Sequence, residues 1–159
     1  MSWERGREVI ERLLEAGHLE QVVANPAEAR HLISRARRHL VTAANDADDD
    51  PEIAYNALYA ASRKALTALL VEQGLRPTRA GGHEVVIEAA EAQLVPPMGD
   101  TLRPYRRMRR RRGEGDYQGL AVAIRPDDVR ADLPASEPIV DMADKLLATG
   151  KLTVFTPRT

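Results

Sequence analysis

The chain has 159 residues, with hydrophobic residues at 43%, charged residues at 30% and a formal net charge of -1. This fits one soluble globular domain with a respectable core and excludes a uniformly basic nucleic-acid binder. With no cysteine there is no disulfide framework, thiolate metal site or cysteine nucleophile. One Phe and one Trp among many alanines indicate an aliphatic, helix-on-helix core.

Charge is distributed unevenly. Residues 103–117 read R-P-Y-R-R-M-R-R-R-R-G-E-G-D-Y, and 103–112 hold seven arginines and no acid. Without those seven, 16 basic side chains stand against 24 acidic ones, a remainder of about -8. A localised anion site in an acidic body is compatible with that balance. No apolar leader follows Met1 and no apolar run approaches 18 residues, so a cytoplasmic protein without a signal peptide or membrane span is expected.

In chain order, Val9, Ile10, Leu13 and Leu14 predict a short amphipathic helix over 3–16, ended by Gly17. This forms an N-terminal segment, 1–24, ahead of a bundle over 25–150. Asn25, Pro26 and Glu28 combine an N-cap, a first-position proline and a first-turn acid, and predict a helix to about 44. Arg30, Arg35, Arg37, Arg38 and His39 fall mainly outside its apolar stripe, as a solvated basic face. His18 reads as a helix-end surface residue, and His31 and His39 lack metal-ligand spacing.

The acidic turn 45–50 lacks the glycine and terminal glutamate of a calcium loop and serves instead to cap the next helix through Asp50, Pro51 and Glu52. That helix, 51–73 with Gly74 closing it, carries a broad alanine-rich face suited to the centre of a bundle. Tyr55 and Tyr59 are expected to pack with solvated hydroxyls.

A loop over 75–83 leads to a fourth helix that Pro96 and Pro97 terminate, with His83 at its start, where backbone N–H groups can meet an anion. The arginine helix is expected from Asp100 or Thr101, loosened by Gly113 and Gly115. Arg109 and Arg112 lie in line with Leu102 and Tyr105 and should be partly desolvated. A short apolar run follows at 120–124. Pro134 and Pro138 predict a final helical region in two pieces, Gly150 ends it, and 151–159 form an extended tail, ordered against a partner if at all. The fold class is all-α, a single-domain bundle of five to six helices.

The order of a long alanine-rich helix, a G-L-R-P-T...G-G-H loop, a short helix and an arginine helix closing on an acid and a tyrosine resembles the HEPN superfamily. The likeness spans about 25–148, particularly to bacterial branches found beside nucleotidyltransferase-type antitoxins. The superfamily motif is an arginine followed after four to six residues by a histidine, often with a tyrosine next. Arg109, Arg110 and Arg111 stand at six, five and four intervening residues from Asp116, and Tyr117 follows. Asp116 therefore occupies the histidine position, and Gly113 follows Arg112 where an asparagine is common.

The resemblance implies a homodimer, metal-independent RNA cleavage without cofactor, and a toxin–antitoxin or defence role. Arg111, Arg112, Asp116 and Tyr117 would be the catalytic set, and Arg106, Arg109, Arg110 and His83 would bind substrate. Asp116 could serve as a base but is a poor acid near pH 7. Three readings stay open: a ribonuclease-like protein, an inactive module binding RNA, a nucleotide or a partner protein, and a structural helical protein whose arginines pair with the acidic body.

Overall fold

The computed structural model describes residues 3–117 and 123–158, without the side chains of 114–117. Among these residues the fold is an all-α bundle with one two-stranded ribbon, in the order α1 (Arg7–Glu15), β1 (Leu19–Gln21), α2 (Pro26–Asp46), α3 (Pro51–Glu72), β2 (Leu75–Pro77), α4 (Glu84–Leu94), α5 (Gly99–Leu102), α6 (Pro104–Tyr117) and α7 (Pro126–Ala148). The expected fold class stands.

The caps act as their residue types dictate. Asn25 accepts a hydrogen bond from the Glu28 N–H at 3.0 Å, and Asp50 accepts one from the Ile53 N–H at 3.2 Å. Gly74, at φ 78°, turns α3 directly into β2. β2 pairs antiparallel with β1, Glu20 opposite Arg76. That ribbon replaces part of the expected loop, because Leu19 and Leu75 are both fully covered by the core.

Helix α3 is the centre. It packs against α2, α4, α6 and α7, and Ala54, Ala57, Ala61, Ala65 and Ala68 are all buried along it, which lets neighbouring backbones approach closely. Where α3 meets α7, Ser136 donates to the Leu58 carbonyl at 2.7 Å and shares a 2.7 Å hydrogen bond with Ser62. Buried Gln73 and Gln93 exchange amide hydrogen bonds at 2.6 and 3.1 Å.

Several expectations need correction. The first helix begins only at Arg7, because Trp3 is buried against the C-terminal tail. Helix α7 is continuous through Pro134 and Pro138. Both prolines are exposed, so the carbonyls they leave unpaired, those of Arg130 and Pro134, reach water and the helix persists. The arginine segment is divided into a single-turn α5 and α6, whose first residue is Pro104. Gly113 and Gly115 do not end α6, which runs to Tyr117. Of the apolar run at 120–124, residues 120–122 lie outside the described residues, while Ile124 is buried.

The tail is ordered against its own chain. Phe155 is fully buried, its N–H donates to the Gln73 carbonyl at 2.8 Å, and its carbonyl accepts from Gln21 at 2.9 Å. Trp3 meets the Phe155 ring edge-on at 4.9 Å, and Arg7 lies over the same ring.

Candidate functional site

Along α6 the inward stripe is Leu102, Tyr105 and Met108, all buried, and its next member one turn on is Arg112. This guanidinium therefore cannot sit in open solvent; it lies 5.6 Å over the Tyr59 ring, a cation–π contact. The expected desolvation of Arg112 is observed. Arg109, by contrast, keeps its side chain 44% exposed and pairs with Glu84 at 3.0 Å.

Most of the arginine run is engaged by carboxylates. Arg106 bridges Glu84 and Glu91, which lie two turns apart on α4, at 2.9 and 2.5 Å. Arg107 meets Asp132 at 2.6 Å, Arg111 meets Asp128 at 2.5 Å, and Arg103 meets Asp100 at 2.5 Å. Exposed pairs of this kind stabilise little individually, but they hold α6 against α4 and α7 and neutralise much of its charge. Arg110 is exposed and has no acidic partner among the described residues.

A cleft of about 530 Å³ remains between α6 and the start of α4, lined by His83, Arg106, Arg109, Arg110, Arg112 and Gly113, with one carboxylate, Glu84, which Arg106 and Arg109 neutralise. It brings together all four residues expected to bind substrate, and Arg112 from the expected catalytic set. Arg111 turns instead toward Asp128 of α7. The readings of Asp116 and Tyr117 fall on side chains outside the described residues.

Behind His83 runs a hydrogen-bonded chain that corrects the expectation of a solvated Tyr59 hydroxyl, as burial of Tyr55 against Asp132 does for the other tyrosine. Tyr59 OH lies 3.0 Å from His83 Nδ1 and 3.3 Å from Tyr105 OH. Tyr105 is fully buried, and Tyr59 is its hydroxyl's partner among the described residues. Its proton must go to Tyr59, since a buried donor left unpaired costs about 1–3 kcal/mol. Tyr59 then donates to His83 Nδ1, which assigns the neutral ring its hydrogen at Nε2. His83 thus offers a donor to the cleft, and its second nitrogen is already occupied.

Burial lowers the proton affinity of His83, and Arg63, Arg112 and Arg109 lower it further. Burial likewise raises the ionisation of Tyr59 above the ordinary tyrosine value, and that of Tyr105 well above it. The neutral network is therefore the state at pH 7. We expect His83 to titrate below 6.5, and Arg112→Ala to move it upward, as read by the ring resonances in a pH-dependent NMR series. The sign for stability follows: the unfolded chain binds the proton first, so the contribution is complete above about pH 6.5 and is lost as pH falls toward the folded value. An unshifted His83 would contradict the burial and the arginine field together.

Sequence reasoning missed Arg63 and the connecting role of Tyr105. The available signal was spacing: Tyr59 and Arg63 lie four apart on one face of α3. No clusters of His, Cys, Asp or Glu able to hold a metal occur among the described residues, nor is any described helix long and apolar enough to cross a membrane. Neither a known protein family, nor a curated protein, nor a solved structure matches the chain.

Proposed function

We propose that the protein binds RNA through the cleft between α6 and the start of α4, as a phosphate clamp rather than a nuclease. The observation that carries this reading is the Tyr105–Tyr59–His83 chain, which makes His83 Nε2 a hydrogen-bond donor beside Arg110 and Arg112. Guanidinium and N–H groups converging on one cleft suit phosphate oxygens. Cleavage would need a base for the 2′-hydroxyl and an acid for the leaving oxygen. His83 supplies neither in this state, with Nδ1 occupied, Nε2 already protonated and the cationic form disfavoured.

RNA is the ligand implied by the resemblance to HEPN domains, and the homodimer and a nucleotidyltransferase-type antitoxin partner belong to the same proposal. The structural reading also has an observation in its favour: among the described residues, arginines 103, 106, 107, 109 and 111 already hold carboxylates.

Incubation with labelled single-stranded RNA in EDTA, over a salt series, separates these readings. We expect intact RNA, binding that weakens steeply with salt, and a salt slope reduced by about 1.4 in Arg110→Ala/Arg112→Ala, about 0.7 for each phosphate no longer neutralised. Cleavage that disappears in Asp116→Ala would restore the ribonuclease reading. Absence of binding at low salt would leave the structural one.

A further inference from the structure

Cations gather elsewhere as well. Helices α2 and α3 form an antiparallel hairpin about the turn at 47–50, so equal distances from the turn place Arg35 level with Ser62 and Arg63. Arg35 and His39 lie four apart on α2, on one face. Arg63 and Lys64 answer them from α3. None of the four pairs with a carboxylate among the described residues, in contrast to Arg37, which bridges Asp141 and Asp144 of α7 at 2.9 and 2.8 Å.

Two nitrogens of this group, His39 Nε2 and Arg63 Nε, are buried and have no hydrogen-bond partner among the described residues. Such orphans are rare in native proteins and costly, particularly on a charged group. Like charges aggravate the cost: burial and then Lys64, Arg35 and Arg63 depress protonation of His39, while burial, Arg63 and Arg35 depress that of Lys64. Arg35 is exposed, as expected of a solvated basic face, whereas His39 is half-buried and departs from that expectation.

We infer that Arg35, His39, Arg63 and Lys64 form a second anion-binding site, shaped for a phosphate group. The recessed nitrogens favour a small tetrahedral oxyanion, which can present oxygens to both helices at once. Arg63 also ties the site to the α6 cleft, since it lies one turn from Tyr59 on α3 and its charge acts on His83. A second phosphate of the same strand is the favoured source, and that identification rests on the RNA reading; the anion site itself does not.

The test uses inorganic phosphate, followed by NMR through the His39 and His83 rings separately. In the full chain phosphate is expected to shift His39 saturably. Arg35→Gln/Lys64→Gln, which keeps hydrogen-bonding side chains of good helix propensity, should weaken that response about tenfold and leave the His83 response in place. A His39 ring indifferent to phosphate, or shifted equally in the double variant, overturns the site. A silent His83 beside a responsive His39 counts against the α6 cleft alone. Adding an oligouridylate then identifies the source: both rings responding at one stoichiometry indicates a phosphodiester strand, and a His39 response to phosphate alone indicates a free anion, which also supports the site.

Discussion

Replacing Asp132 with alanine is expected to cost about 3 kcal/mol of stability, the loss of a charged hydrogen bond plus a stranded donor. Asp132 is buried on α7 and accepts from Tyr55 OH at 2.6 Å and from Arg107 at 2.6 Å. The two partners respond differently. Arg107 is 48% exposed and simply returns to water, whereas Tyr55 is fully buried and its hydroxyl has nowhere to turn. Burial, and then the bond to Asp132, raise the Tyr55 ionisation far above the ordinary range, so it cannot escape by losing its proton. In a chain of this size the loss corresponds to a fall in Tm of about 6 to 12 °C.

Two further variants isolate the cause. Asp132→Asn keeps an acceptor for Tyr55 and should cost about 1 kcal/mol. Asp132→Ala/Tyr55→Phe removes donor and acceptor together and should recover most of the single-variant loss, a coupling of about 1–2 kcal/mol in a double-mutant cycle by urea denaturation. Equal losses in Asp132→Ala and Asp132→Asn would mean that charge, not the hydroxyl, decides.

The reach of sequence reasoning follows the range of the forces involved. Asn25–Pro26 and Asp50–Pro51 were legible because a cap acts within three residues, and both were observed as read. The alanine-rich face of α3 was legible for the same reason, since periodicity is local. The arginine run was conspicuous, yet its fate depended on Glu84, Glu91, Asp128 and Asp132, which lie on other helices. A charge count sees the cations and not the geometry that neutralises them. Tyr59 was visible as an aromatic, but its role depends on Tyr105 and His83 arriving from α6 and the start of α4. Pro134 and Pro138 misled because a proline inside a helix removes one hydrogen bond and crowds the carbonyl before it. On the exposed side of α7 water can serve the freed carbonyls, while packing of the opposite face holds the helix. Arg35 was read as surface charge and is exposed, but His39 is half-buried, because nothing in α2 alone shows what α3 places against its ring.

The tail was the most consequential misreading, and Phe155→Ala tests it. A fully buried phenylalanine replaced by alanine ordinarily costs about 3–5 kcal/mol. Here a ceiling applies, because the segment from Lys151 carries no helix or strand through residue 158 and can leave without unfolding the bundle. Once the variant tail detaches, no further loss is possible. Phe155→Ala should therefore cost about 3 kcal/mol, and deletion of 151–159 should cost the same within about 0.5 kcal/mol. Detachment also uncovers Trp3, whose indole N–H donates to the Val154 carbonyl at 3.1 Å, and frees Gln73 and Gln21 from their bonds to Phe155. Tryptophan fluorescence should shift to the red in both variants before the global transition. Docking within one chain further requires the loss to be independent of protein concentration, whereas a tail ordered on a partner copy would make it grow on dilution. A loss below about 1 kcal/mol for Phe155→Ala, or a concentration-dependent one, would mean that the aromatic contact between Trp3 and Phe155 does not hold in solution.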